Sequence, residues 1–349
     1  MDKINVVVVG YGGMGNYHAE RIDSFENFKL SGVYDIKPER CRVAEGKGWY
    51  AYPSFEAVLE DDSVELIVCA TYNDCHKDIA IRAMRAGKNV ISEKPVTLCS
   101  EELEEIIAVA DETGKLFTVH QNRRWDNDYR TIKNILDKNE LGPIFSMESK
   151  VYGSRGVPKG WRAEKEHGGG MLLDWGVHLL DQVLMLNEGK KIKSVYGSLT
   201  NITNLEVDDG FRAIIRFEDG PECLVEVFTN NFIEAPRWYM AGENGTAIIR
   251  TWDIEGEIVK IKDWEKIDAV PVQMGAGITK TMAPRTPETI QKFPLDVIEV
   301  QWADYYNNIY DVLRNGAKPL ITHDQQRRLM KLMEAIVESS EKNEVICFE

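Results

Sequence analysis

Asp174 and His178 stand four residues apart in the apolar run Met171–Leu186. On a helix that spacing puts both side chains on one face. An imidazole that titrates near neutrality suits removal of a proton from an alcohol. Lys94, in Glu93-Lys94-Pro95, closes the apolar run 88–93, at the strand end where open α/β sheets bind ligands. An ammonium there can donate to a substrate hydroxyl. Each residue also has a plainer reading: a satisfied polar pair on a buried helix, and a surface lysine. A metal held by the pair with His167 or Asp181 is a further option, but no other ligand follows at metal-binding spacing.

A glycine motif supplies the second chemistry. Gly10-Tyr11-Gly12-Gly13-Met14-Gly15 reads G-x-G-x-x-G. The first glycine makes a tight turn, the second lets backbone approach a pyrophosphate, and the third lets a helix pack close to its strand. The motif follows the β-branched run Ile4–Val9, opens a helix, and is followed 20 residues after Gly15 by Asp35. That context completes the dinucleotide fingerprint. An Asp35 carboxylate accepts both ribose hydroxyls of NAD. A 2′-phosphate about 4 Å away would cost on the order of 4 kcal/mol per charge at an effective dielectric of ~20. NAD is therefore expected over NADP, with Lys37 as a partial offset.

These residues need a scaffold, and the chain alternates short apolar runs with amphipathic ones as far as residue 121. Strands are expected at 4–10, 29–35, 65–71, 88–93 and 116–121, with helices at 14–25, 38–47, 74–86 and 100–113. The alternation predicts a doubly wound parallel sheet over residues 1–123. The texture then changes. A helix at 129–139 and a strand at 144–152 precede a glycine- and charge-rich loop at 153–170. An apolar helix follows at 171–186, then strands at 192–200, 211–217, 222–231, 237–241 and 246–252. Helices at 295–315 and 323–340 close the chain. Residues 124–349 are expected to form an α+β domain with a large, mostly antiparallel sheet, which binds substrate.

Asn122, Arg123 and Arg124 end the last strand of the first domain at the same ligand edge. Trp125, Trp161 and Trp175 offer flat apolar faces for a sugar ring, although ordinary core is the plainer reading of each. Arg155, Lys159, Arg162 and His167 crowd the loop beside the catalytic helix, and solvated surface is the plainer reading there. Acidic residues outnumber basic ones by 57 to 42, a net charge of -15. That balance speaks against a nucleic-acid partner. No run approaches the ~20 apolar residues of a membrane helix, and six cysteines without a C-x-x-C pair read as reduced thiols. A cytoplasmic protein with no membrane partner is expected.

Taken together, Gly10–Gly15, Thr71-Tyr72-Asn73-x-x-His76, Glu93-Lys94-Pro95 and Gly168–His178 resemble the Gfo/Idh/MocA oxidoreductases, over nearly the whole chain. The resemblance implies a Rossmann domain with a C-terminal substrate domain. It also implies a catalytic group of Lys94, Asp174 and His178, with Asp174 orienting His178. Contacts to NAD would come from Gly10, Gly12, Gly13, Met14, Gly15, Asp35, Thr71, Asn73, His76, Glu93, Lys94 and Asn122. Contacts to substrate would come from Lys94, Arg123, Arg124, Trp161, Arg162, Asp174, Trp175 and His178. The implied reaction moves a hydride between nicotinamide and a secondary ring hydroxyl of a sugar, glycoside or inositol, in a homodimer or homotetramer. Two rivals are an enzyme that keeps NAD bound and oxidises a glycoside transiently, and a non-catalytic NAD sensor. The intact Lys94, Asp174 and His178 set argues against the sensor.

Overall fold

The computed structural model describes residues 3–266 and 268–348. The first sheet holds β1 (Ile4–Val9), β2 (Phe28–Tyr34), β3 (Leu66–Cys69), β4 (Asn89–Ser92) and β5 (Phe117–Val119). Helices α1 (Gly13–Ser24), α2 (Pro38–Gly46), α3 (Phe55–Glu60), α4 (His76–Arg85) and α5 (Ser100–Thr113) connect and cover them. The strands run parallel in the order β2-β1-β3-β4-β5. An isolated parallel bridge pairs Val33 of β2 with Ala51. The order is then that of a dinucleotide-binding sheet, whose switch point lies between β1 and β3. Val6 to Val9 and Leu66 to Cys69 are at most 1% exposed, as strands covered on both faces require. Each such side chain contributes about 1.5 kcal/mol or more by leaving water.

The second half begins with α6 (Asn127–Asp137), β6 (Ile144–Tyr152) and α7 (Val177–Leu186). Strands β7 (Ile192–Thr200), β8 (Gly210–Phe217), β9 (Glu222–Phe228), β10 (Trp238–Gly242) and β11 (Gly245–Ile249) follow. Then come β12 (Gly256–Ile261), a separate hairpin of β13 (Val272–Met274) and β14 (Gly277–Thr279), and β15 (Ile290–Pro294). The chain closes with α8 (Ala303–Asn315), α9 (His323–Lys342) and β16 (Ile346–Cys347). Nine strands form one sheet in the order β15-β12-β11-β10-β6-β9-β8-β7-β16. All its neighbours are antiparallel except β6 and β9. α7 and α9 pack on one face, over buried Val195, Ala213, Val225 and Val227. The alternate residues of β6, β8 and β9 carry the pairs Lys150–Glu148 and Arg212–Glu226.

Two differences from the sequence reading stand out. Strands β12 to β15 were not expected, because each is short and the residues around β13 and β14 are mostly exposed. The helix expected from residue 295 begins only at Ala303. Upstream, the Ile298 and Val300 amides donate to Thr131 Oγ1 (3.0 Å) and Asn127 Oδ1 (3.1 Å), holding that segment against α6. α8 also returns to the first sheet. Its Tyr305 hydroxyl bonds the Val119 carbonyl at 3.4 Å, and Arg314 pairs with Glu65 at 2.8 Å. Among the described residues no helix is long and apolar enough to cross a membrane.

Candidate active site

The glycine loop sits at the carboxyl end of β1, with Gly10 at φ +90°. A Cβ at Gly15 would fall on the Gly10 carbonyl oxygen, so only glycine lets α1 pack this close to the strand. Beyond the loop lies a crevice of about 540 Å³, lined by Gly10, Gly12, Gly13, Met14, Asp35, Thr71, Asn73, Glu93 and Lys94 among others. Nothing lies within 4 Å of a Cβ placed on Gly13. Asp35 Oδ2 accepts from the Tyr11 amide (2.7 Å) and Oδ1 from the Lys37 amide (2.8 Å). These features fit a dinucleotide: a glycine cradle at a helix start and a buried acid at the end of the second strand.

Three expected cofactor contacts lie elsewhere. Gly15 serves the packing behind the loop. His76 is fully buried and its Nδ1 pairs with the Pro95 carbonyl at 2.9 Å, so it supports the Lys94-Pro95 turn instead of the ligand. Asn122 opens a short 3₁₀ turn, Asn122–Trp125, off the crevice wall. The sequence reading missed Arg40, whose Nη1 stands 3.2 Å from Asp35 Oδ2, and Tyr72, whose hydroxyl accepts from Lys37 Nζ at 3.4 Å. Arg40 and Lys37 thus put two cations at the ribose end. Arg40 follows Asp35 by five residues, which the glycine fingerprint does not cover.

The helix carrying the second group of side chains has an irregular start. Leu172–Gly176 form a π-turn, with the Val177 amide donating to the Leu172 carbonyl, and such turns often mark functional sites. Asp208 holds the start in place: its Oδ2 accepts from the Leu172 amide at 2.8 Å. Gly170, at φ +105°, leaves no room for a Cβ beside Asp208 Oδ1. Burial, first of all, pushes the Asp208 carboxyl up to about 6.

This arrangement carries Asp174 to Lys94. Lys94 Nζ donates to the Asp174 carbonyl (2.7 Å) and to Oδ1 (3.1 Å), while Arg162 Nε stands 3.1 Å from Oδ2. Burial alone would raise the Asp174 carboxyl, but Lys94 and Arg162 together bring it below its ordinary value. The expectation that Asp174 orients His178 is not met, because both its oxygens are spent on cations. His178 Nδ1 is buried without a hydrogen-bond partner among the described residues. Burial, then the Lys94 and Arg123 charges, hold His178 well below the usual imidazole range. It is a neutral imidazole at pH 7.

A second hollow of about 520 Å³ is lined by Asp174, whose ion partners Lys94 and Arg162 line the crevice. Its walls include Arg123, Trp175, Tyr152, Phe228 and Trp252. Arg123 stacks over Trp175 at 4.3 Å, and Trp175 lies 5.9 Å from Trp252. Trp252, half-exposed on the β11–β12 turn, was not among the expected residues, since nothing in the sequence ties it to residue 175. Two expected substrate contacts need correction. Trp161 lines the dinucleotide crevice and packs on Tyr72 at 5.6 Å, so it is a cofactor-side wall. Arg124 is buried: its Nε and Nη2 donate to Asp181 Oδ2 and Oδ1, both at 2.7 Å, and Nη1 donates to Gln325. It is a strut between the two halves.

The suggested metal set is not assembled. Asp181 belongs to Arg124, and His167 Nδ1 pairs with Asp74 at 3.1 Å. The described residues do gather His18, Glu93 and His120. Glu93 Oε1 accepts from His18 Nε2 and His120 Nδ1, each at 2.8 Å, so those atoms already satisfy one another.

With this geometry established, the comparisons with known proteins have a structural meaning. Residues 4–121 match the oxidoreductase family with an NAD-binding Rossmann fold, and residues 129–248 match the GFO/IDH/MocA C-terminal domain. The chain is 26% identical to the scyllo-inositol 2-dehydrogenase (NADP(+)) IolW of Bacillus subtilis, over 100% of this chain and 97% of that protein. It is 34% identical to the Escherichia coli oxidoreductase YhhX over 70% of this chain and 71% of that one. An NAD-binding protein from Listeria innocua has the same fold, with a TM-score of 0.97 and 45% identity over 100% of both chains. Two domain matches in the expected order make the chain a member of the Gfo/Idh/MocA family of NAD(P)-dependent oxidoreductases.

Proposed function

We propose that the protein moves a hydride between NAD and a secondary ring hydroxyl of a sugar, glycoside or inositol. The observation that carries this reading is the place where Asp174, in the wall of the second hollow, pairs with Lys94 and Arg162 in the wall of the crevice. There Lys94, Asp174 and Arg162 form one ion cluster, with a neutral His178 held by the same helix. Bound in the crevice, nicotinamide supplies the hydride acceptor or donor. Lys94, steadied by Asp174, donates to the reacting oxygen and stabilises the negative charge that develops there. His178 takes the hydroxyl proton at Nε2, and its low basicity returns that proton readily in the reverse direction.

The substrate class rests on the second hollow. Trp175 and Trp252 present aromatic faces to a ring, and Arg123 supplies donors for several hydroxyls. A short hydroxy acid would leave most of that wall unused. The half-exposed face of the nine-stranded sheet is the surface we assign to subunit contact in a homodimer or homotetramer. Free thiols at all six cysteines fit a cytoplasmic setting.

The test is a panel of inositols, hexoses, glycosides and 2-hydroxy acids followed by nicotinamide absorbance, with Trp252→Ala alongside. Ring substrates should react, and removing a neighbouring hydroxyl should cost heavily because the site's donors are left unpaired. Lactate-like acids outperforming every ring compound, or wild-type kinetics in Trp252→Ala, would overturn the assignment. Nicotinamide that co-purifies and stays bound through turnover would favour transient oxidation of a glycoside.

A further inference from the structure

We propose that the Glu93 carboxylate sets the balance between oxidised and reduced nicotinamide, by keeping in the crevice wall a buried negative charge that, among the described residues, pairs with no lysine or arginine side chain. This rests on the reading that the crevice takes a nicotinamide dinucleotide. Among the described residues, the carboxylates of Asp35 and Glu93 line the crevice and that of Asp174 lines the second hollow. Asp35 is paired with Arg40, and Asp174 with Lys94 and Arg162. Glu93 differs. Its partners are His18 Nε2 and His120 Nδ1 on Oε1, and the Lys94 backbone amide on Oε2 at 3.1 Å. The Lys94 ammonium itself turns away to Asp174.

The protonation of this network follows from its geometry. An ionised carboxylate only accepts, so both imidazoles donate to it. His18 is fully buried and bonds the Tyr306 hydroxyl with its other ring nitrogen. A neutral ring that donates from Nε2 must accept at Nδ1, so Tyr306 is the donor there. The chain of donors starts on α8, passes through α1 and ends on Glu93. Every donor in it is neutral when the imidazoles are. Neutral donors stabilise an anion without cancelling its charge, and a charge only 6% exposed is poorly screened. Oxidised nicotinamide carries a positive ring and the reduced form does not. The field of Glu93 therefore favours the oxidised form, while Asp35, already paired, contributes little of this kind.

A network built only to staple three elements would not need the charge, and this separates the two roles. The experiment measures dissociation constants for NAD+, NADH and ADP-ribose at pH 8.5, above the ordinary imidazole range, in wild type, Glu93→Gln and Glu93→Asp. Glu93→Gln is expected to weaken NAD+ about tenfold relative to NADH, a shift of about 30 mV for a two-electron couple. ADP-ribose, which lacks the nicotinamide, should bind unchanged. Glu93→Asp keeps the charge and should keep the wild-type ratio within twofold. An unchanged NAD+ to NADH ratio in Glu93→Gln, an equal shift in Glu93→Asp, or loss of ADP-ribose in Glu93→Gln would each overturn the proposal and leave Glu93 a staple. Wild-type protein that binds none of the three ligands would instead refute the dinucleotide reading itself.

Discussion

Arg124 lies in a run of residues at the ligand edge, yet the structure uses it as a strut, and the two roles differ measurably. Its guanidinium and the Asp181 carboxylate are joined by two bonds of 2.7 Å, with side chains 7% and 4% exposed. Charge centres about 4 Å apart attract by about 4 kcal/mol at an effective dielectric of ~20. Removing one partner forfeits that attraction and leaves the other charge buried, so Arg124→Met should cost about 3–5 kcal/mol. Asp181→Leu should cost a similar amount. The double variant should lie within about 2 kcal/mol of wild type, because no orphaned charge remains. The residual loss reflects the Gln325 and Leu320 acceptors that Arg124 also serves, at about 1 kcal/mol each. Urea unfolding followed by circular dichroism gives the stabilities, and steady-state kinetics on the best substrate gives KM. An Arg124→Met protein that keeps wild-type stability while its KM rises tenfold would refute the strut and return Arg124 to the substrate.

Lys94→Ala or His178→Ala should lower turnover at least a hundredfold with little change in NAD affinity. The double variant should be scarcely worse, since groups serving one proton transfer are not additive, so multiplying losses would contradict that shared role. Because His178 is held well below the imidazole range, it stays a proton acceptor as pH falls from 7.5 to 6.5. The kcat/KM for alcohol oxidation should therefore stay flat there, and an acid limb centred on 6.5 would count against the reading. The same depression means the unfolded chain takes up this proton first, so His178's contribution to stability, full above about pH 6.5, declines as pH falls below it. For Asp208, raised from 3.8 to about 6, the sign is reversed: its penalty is absent below pH 3.8 and complete above pH 6. Asp208→Asn should thus stabilise the protein at pH 8 by up to about 3 kcal/mol and do little at pH 4, and equal effects at both pH values would contradict the assignment. NAD should bind at least tenfold tighter than NADP, about 1.4 kcal/mol, and Asp35→Ala should narrow the gap. Titrations with NADP the tighter ligand would hand the 2′-phosphate to Arg40 and Lys37.

Much of the site was legible along the chain because its pieces are local. A tight turn, an anion at a helix start and an acid ending the next strand are each written within a few residues, and Gly10–Gly15 with Asp35 suffices to show them. Lys94, Asp174 and His178 were singled out on local grounds too, a strand end and a four-residue spacing, but the π-turn Leu172–Gly176 breaks the regular helix that the spacing assumed. What faces these side chains belongs to the tertiary structure. Asp174 turns to Lys94 and Arg162 instead of His178, because the cations supply stronger partners than a neutral ring. Arg124 and Arg123 are neighbours in sequence, but successive residues of a 3₁₀ turn point in different directions. One therefore enters the core to meet Asp181, while the other lies over Trp175. Trp252 reaches the hollow, and Tyr306 reaches His18 across 288 residues, through sheet order and helix packing. The sequence by itself determined the cofactor cradle, since short-range backbone geometry dictates it. Partner choice among buried charges was decided only when distant elements packed together, because an ion pair's energy depends on separation and burial in space.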